Sequence, residues 1–136
     1  MTYTQEMNLL SGSGYCMPFE EKDRKVQLAL GYGKQKHPKT GEDFFHHGID
    51  FKTNNYFLAA LADGVVSGIG IDRNKYGLYE VIKYGSYEVT YAHMSNVFMQ
   101  FGQKVKAGLA VGVSSDLLHM EVKYNGEEID PMEFIT

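Results

Sequence analysis

The chain predicts a single mostly-β domain with a loop-rich first third, and three observations carry that prediction. Fifteen glycines stand against three prolines, beside ten tyrosines and eight phenylalanines. That mixture suits short strands punctuated by turns. Several stretches alternate apolar and polar residues, as half-buried strands do. No stretch sustains a 3.6-residue period with caps, so at most one short helix is expected, near residues 95–100.

Each element has its own signal. "KVQLALGY" alternates, with Val26, Leu28 and Leu30 on one face. "NYFLAALADGVVSGIGI" is too apolar for a surface loop and is broken by Asp63-Gly64. It reads as two buried strands with a turn between them. "YGLYEVIKYGSYEVTYA" reads as a hairpin around Gly85-Ser86, a glycine-first pair suited to a type II′ turn. In "MQFGQKVKAGLAVGV", Gly102, Gly108 and Gly112 are spaced like turns between very short strands. "SDLLHMEV" is a short strand carrying His119. No internal repeat, linker or low-complexity tract interrupts the chain.

A length of 136 residues suits one domain with its own core. Hydrophobic residues at 43% and charged residues at 22% are ordinary for a soluble globular protein. A formal net charge of -4 without a basic patch disfavours nucleic-acid binding. Cys16 is the only cysteine, which excludes an internal disulfide. Nothing near it suggests thiol activation, so it reads as a buried or incidental thiol. The opening residues show neither a basic start nor an apolar run of secretory length, and no stretch approaches a membrane span. The glycine groups "GSG" and "GIG" do not match a phosphate-binding pattern.

The densest polar knot is "FFHHGID". His46 and Asp50 are four apart, a spacing that puts both on one face of a strand or a helix. Gly48 between them permits a close backbone approach or an unusual turn. Joined by a distant strand histidine, the pair makes a two-nitrogen, one-oxygen set. Zinc accepts such a set, and three protein ligands leave a fourth position open for water. On spacing alone a histidine in a Tyr/Phe-rich strand is more often a satisfied core residue, and both readings stay open.

The order of motifs adds a resemblance. "GYGKQKHPKTGEDFFHHGIDF", "ALADGVVSGIG", "YGLYEVIKYG", "VTYAHMSN", "FGQKVKAGLAVG", "LLHMEV" and the closing "NGEEIDPMEF" resemble the lysostaphin-type (LytM-domain) peptidoglycan metallopeptidases. The resemblance runs from about Gly31 to about Phe134. It implies an all-β fold, mainly antiparallel, with a zinc site in a groove that cuts peptide cross-bridges of bacterial cell walls. On that basis residues 31–136 are expected to form the metallopeptidase-like β domain, with residues 1–30 as an N-terminal loop and strand of the same domain. The family also implies an extracellular or periplasmic setting, although the chain shows no signal peptide.

Position by position, the resemblance makes His46, Asp50 and His119 the Zn²⁺ ligands. His93, in "YAHMS", becomes the non-liganding histidine that polarises the attacking water or steadies the oxyanion. Leu117 stands where the family places a second catalytic histidine, two residues before the ligand and on the same strand face. Losing one preorganised donor of this kind typically costs on the order of 10²–10³ in rate, about 2.7–4 kcal/mol. His47, His37, Tyr91 or a substrate group are the candidates to replace it. The segment before His119, residues 114–118, is shorter than the family's loop, so the cleft is expected to be more open.

The remaining residues carry paired readings. His47 points away from His46 if the segment is extended, and is structural or supports a ligand imidazole. His37 in "HPKTG" reads as a solvated turn histidine that alternatively lines the groove. Glu121 orients a ligand or pairs with a lysine, and Tyr32 contacts substrate or packs. Two functions follow: a zinc metalloendopeptidase, impaired at Leu117, or a degenerate zinc-containing domain. The latter binds cell-wall peptide or regulates a partner hydrolase without cleaving.

Overall fold

The computed structural model describes residues 27–135. Val26 and Cys16 therefore lie outside the described residues. At the centre is β10 (Ala110–Tyr124), which pairs with four other strands. On one side it meets β4 (Ile49–Lys52), which in turn pairs with β1 (Gln27–Leu30). On the other it meets β8 (Tyr87–Val97), followed by β7 (Gly77–Tyr84), β6 (Gly64–Asp72) and the two-residue β9 (Lys104–Val105). The short strands β5 (Phe57–Ala59) and β11 (Glu127–Ile129) also pair with β10. A separate hairpin joins β2 (Gly33–Lys36) to β3 (Asp43–His46). Every pairing is antiparallel.

Alternation along β10 sorts its side chains onto two faces. Leu118, Met120 and Val122 are fully buried and lie opposite Phe51, Tyr91 and Val89 on neighbouring strands. Ile49, Ile82 and Tyr84 extend the same core. Burying each such side chain contributes roughly 1.5–3 kcal/mol. His119 and Glu121 fall on the other face, and the core thus holds rigid the strand that carries them.

Turn chemistry explains the hairpins. Gly85 has φ +62° whereas Ser86 does not lie in the positive region, the sign pattern of a II′ turn. Asn125 and Gly126 are both positive, at 50° and 83°, as a type I′ turn between β10 and β11 requires. The Asn-Gly pair itself encodes that second hairpin.

Two expectations need correction. Residues 95–100 form no helix, because Asn96 and Val97 pair with Val113 and Gly112 on β10. The helix is α1 (Pro131–Ile135) instead. Asp130 caps it by accepting the Met132 N–H at 2.9 Å, and Pro131 takes the first turn. The stretch around Asp63-Gly64 does give two strands, yet they do not pair with each other: β5 joins β10 and β6 joins β7. Nor is β6 buried throughout. It lies near the sheet edge, and Ile71 is 72% exposed.

One irregularity shapes the functional face. Ser114 pairs with Met94 and His119 with Ala92, so four residues of β10 stand opposite His93 alone. Those four lean toward β4, where Leu117 pairs with Lys52 and Leu118 with Phe51. Asp116 and Ser115 carbonyls accept the Thr53 and Asn55 N–H groups. The short loop foreseen at residues 114–118 is this bulge within a continuous strand.

Candidate metal centre

His46 ends β3 and Asp50 lies in β4, joined through His47-Gly48. Gly48 is obligatory at this corner. A Cβ there would sit 2.4 Å from the Met120 carbonyl oxygen and 2.9 Å from the His119 ring. The corner is therefore pressed against β10, where Asp50 and His119 are register partners.

Three donors converge as a result. The carboxylate oxygens of Asp50 lie 2.6 Å from His119 Nδ1 and 3.4 Å from His46 Nε2. One ligand atom from each of the three residues lies within 4.8 Å of the other two. Their side chains are 10–16% exposed. Each imidazole is anchored through its other nitrogen: His46 Nδ1 meets the Gly31 carbonyl at 2.8 Å, and His119 Nε2 meets Glu121 at 2.8 Å. With those far nitrogens donating, His46 Nε2 and His119 Nδ1 offer lone pairs toward Asp50. Two imidazole nitrogens and a carboxylate fit a three-ligand zinc site with an open position.

The electrostatics agree with a site built for positive charge. Burial disfavours a charged His119, but hydrogen bonds and charge from Asp50 and Glu121 outweigh it and raise its pKa to about 9. A divalent cation at Nδ1 takes over the charge that the proton carries. Burial also pushes Glu121 upward, yet His119 and the Tyr76 hydroxyl hold it below its usual range. Of its two paired readings, Glu121 contacts the histidine.

His93 stands beside the cluster. Its ring is edge-on to His119, with centroids 6.1 Å apart. Its φ of +60° is uncommon for a non-glycine residue and costs of order 1–3 kcal/mol. Two bonds hold that conformation: His93 N–H donates to the Tyr76 carbonyl at 2.8 Å, and Ser115 Oγ donates to the His93 carbonyl at 2.7 Å. Burial first, then the nearby His119 charge, lowers its pKa. That shift favours the neutral imidazole.

None of the three side-chain candidates to replace a histidine at Leu117 reaches the cluster. His47 turns outward, with Nδ1 3.0 Å from both oxygens of Glu128. His37 lies in an exposed turn whose Lys39 and Thr40 N–H groups donate to its Nδ1. Tyr91 is wholly buried, its hydroxyl 2.6 Å from that of Tyr84. Tyr32 bonds Glu128 and packs edge-on against Phe45, a bridging role between β3 and β11.

Two residues escaped the sequence reading. Tyr76 bonds Glu121 from 45 positions away and has no motif to announce it. Glu80 is fully buried on β7, and among the described residues neither of its carboxylate oxygens has a hydrogen-bond partner. Burial raises its pKa to about 8. Its signal was present, since Leu78, Glu80, Ile82 and Tyr84 alternate onto one otherwise apolar face.

An antiparallel β domain with two anchored imidazoles and a carboxylate converging on one face is a small β-sheet domain with a candidate metal site. The pattern of peptidase family M23 matches residues 44–131, and the chain belongs to that family. It is similar to the peptidoglycan DD-endopeptidase ShyB of Vibrio cholerae, 31% identical over 79% of this chain and 27% of that protein. The murein hydrolase activator NlpD of Escherichia coli is 32% identical over 65% of this chain and 25% of its own length. A zinc-containing peptidase from Vibrio cholerae superposes with a TM-score of 0.72 at 25% identity, covering 91% of this chain and 45% of that one. The chain thus spans about a quarter of the length of the two curated relatives named. Among the described residues no helix is long and apolar enough to cross a membrane.

Proposed function

We propose that this domain is a zinc metalloendopeptidase acting on peptide cross-bridges of bacterial peptidoglycan, in the extracellular or periplasmic space. The observation that carries the reading is the convergence of His46, Asp50 and His119 with both imidazoles anchored from behind. His46 Nε2, an Asp50 oxygen and His119 Nδ1 would hold the metal. When bound, zinc lowers the pKa of a coordinated water toward ~7 and polarises the scissile carbonyl. Neutral His93 accepts a proton at its ring nitrogen and then hydrogen-bonds the developing oxyanion. Leu117 offers no second donor, so hydrolysis is expected to be on the order of 10²–10³ slower than with a histidine there.

That same leucine supports a second reading, in which the domain binds cell-wall peptide or regulates a partner hydrolase. The absence of a substitute histidine side chain around the cluster favours it, as does similarity to a murein hydrolase activator. Mass spectrometry of fragments released from purified cell walls, with zinc added, separates the two. New peptide ends that disappear with His46→Ala establish the peptidase and identify its bond. No release despite stoichiometric zinc favours the binding or regulatory reading. Leu117→His then tests the cause, because a gain near 10²-fold shows a groove otherwise intact.

A further inference from the structure

Tyr76 closes the turn between β6 and β7, which Asp72 shapes by accepting the Asn74 and Lys75 N–H groups. From there it reaches the metal cluster in three ways. Its hydroxyl donates to Glu121 Oε1 at 2.8 Å, while Glu121 Oε2 meets His119 Nε2 at 2.8 Å. Its ring stacks on the His119 imidazole, with centroids 6.0 Å apart and planes at 26°. Its carbonyl accepts the His93 N–H at 2.8 Å. The Lys75 ammonium lies over the Tyr76 ring, 4.8 Å from its centroid.

We propose that Tyr76 is a positioning residue of the metal centre, its hydroxyl fixing Glu121 so that His119 is held in one tautomer and one ring orientation. A carboxylate bonded through only one oxygen rotates about its last side-chain torsion, which is broad. With Oε1 held by the phenol, Oε2 stays aimed at Nε2–H, and Nδ1 remains the lone-pair nitrogen. The carbonyl adds a second effect, because it helps hold His93 in its left-handed backbone conformation beside His119. One turn residue thus sets both the ligand and the proposed proton acceptor. The inference rests on reading the cluster as a zinc site, and its test separates the two.

Tyr76→Phe keeps the ring stack and the backbone carbonyl but removes the hydroxyl. Zinc affinity, measured by chelator competition, is expected to fall 10–100-fold, the range for removing a partner that orients a ligand. Glu121→Ala is expected to fall similarly, and the double variant no further, since both act through one chain. The cobalt-substituted protein should show a shifted absorption band in Tyr76→Phe, while metal-free thermal stability stays near wild type. Unchanged affinity and spectrum, or losses that simply add, overturn the proposal. The Nε2 proton of His119 in the metal-free protein gives an independent readout by NMR. Its slow exchange in the wild type should be lost in Tyr76→Phe. A wild type that binds no zinc defeats the functional reading alone, whereas an Nε2 proton unaffected by the substitution defeats the positioning role.

Discussion

Two glutamates on the same sheet face opposite fates. Glu121 on β10 is 9% exposed, and each of its oxygens has a donor, Tyr76 on one and His119 on the other. Glu80 on β7 is fully buried, with no hydrogen-bond partner for either oxygen among the described residues. Burial acts on both in the same direction, and partners decide the outcome. Glu121 is held below the usual carboxylate range, while Glu80 rises to about 8. The first is an anion fitted to hold a cationic centre. The second enters the core as a neutral acid.

Removing a partner from Glu121 is the strongest way to break that contrast. His119→Ala deletes one of the three proposed metal donors and strands Glu121 beside an absent ring. Zinc retained after dialysis should fall by more than ~100-fold, since losing a ligand exceeds the 10–100-fold effect of losing an outer partner. Retention of stoichiometric zinc would place the metal elsewhere.

Glu80 offers the converse test, through pH. Its folded pKa lies above its unfolded value, so between pH ~4.5 and ~8 the native state binds more protons than the unfolded chain. Stability from this group is present below that window and is lost as pH rises through it, by at most ~1.4 kcal/mol per pH unit. Glu80→Gln should flatten that slope in urea titrations and leave zinc affinity unchanged. A slope identical to wild type would show that Glu80 is not neutral in the folded core.

Tyr84→Phe gives the smallest expected change. It removes the hydroxyl that accepts the Leu61 N–H at 3.2 Å and lies 2.6 Å from the Tyr91 hydroxyl. Leaving such buried groups unpaired costs about 1–3 kcal/mol. A change below ~0.5 kcal/mol in thermal or urea unfolding would mean that this part of the core accommodates orphaned polar groups, Glu80 among them.

How much of this was legible depends on the range of each interaction. Gly85-Ser86 specified its hairpin because a two-residue turn is decided by its own backbone. The spacing of His46 and Asp50 put them on one face, and the resemblance named His119 as their partner. Local rules also contained α1 in Asp130-Pro131 and the polar intrusion of Glu80 into an apolar alternation. By contrast, the pairing of β5 with β10 and the reach of Tyr76 to Glu121 join residues about 50 positions apart. No local propensity encodes such contacts; they exist because the sheet's register brings them together.

The bulge opposite His93 has one more consequence. Register is firm on both sides of it, at Ser114 with Met94 and at His119 with Ala92. On the β8 side nothing fixes the chain length between those two clamps, and β4 alone holds residues 115–118. Residues let out there would build up the surface beside His93 while the pairings of Ser114 and His119 with β8 stay fixed. For an engineer, or for selection, this seam is where the surroundings of the proposed site can be altered with the strand beneath left in place.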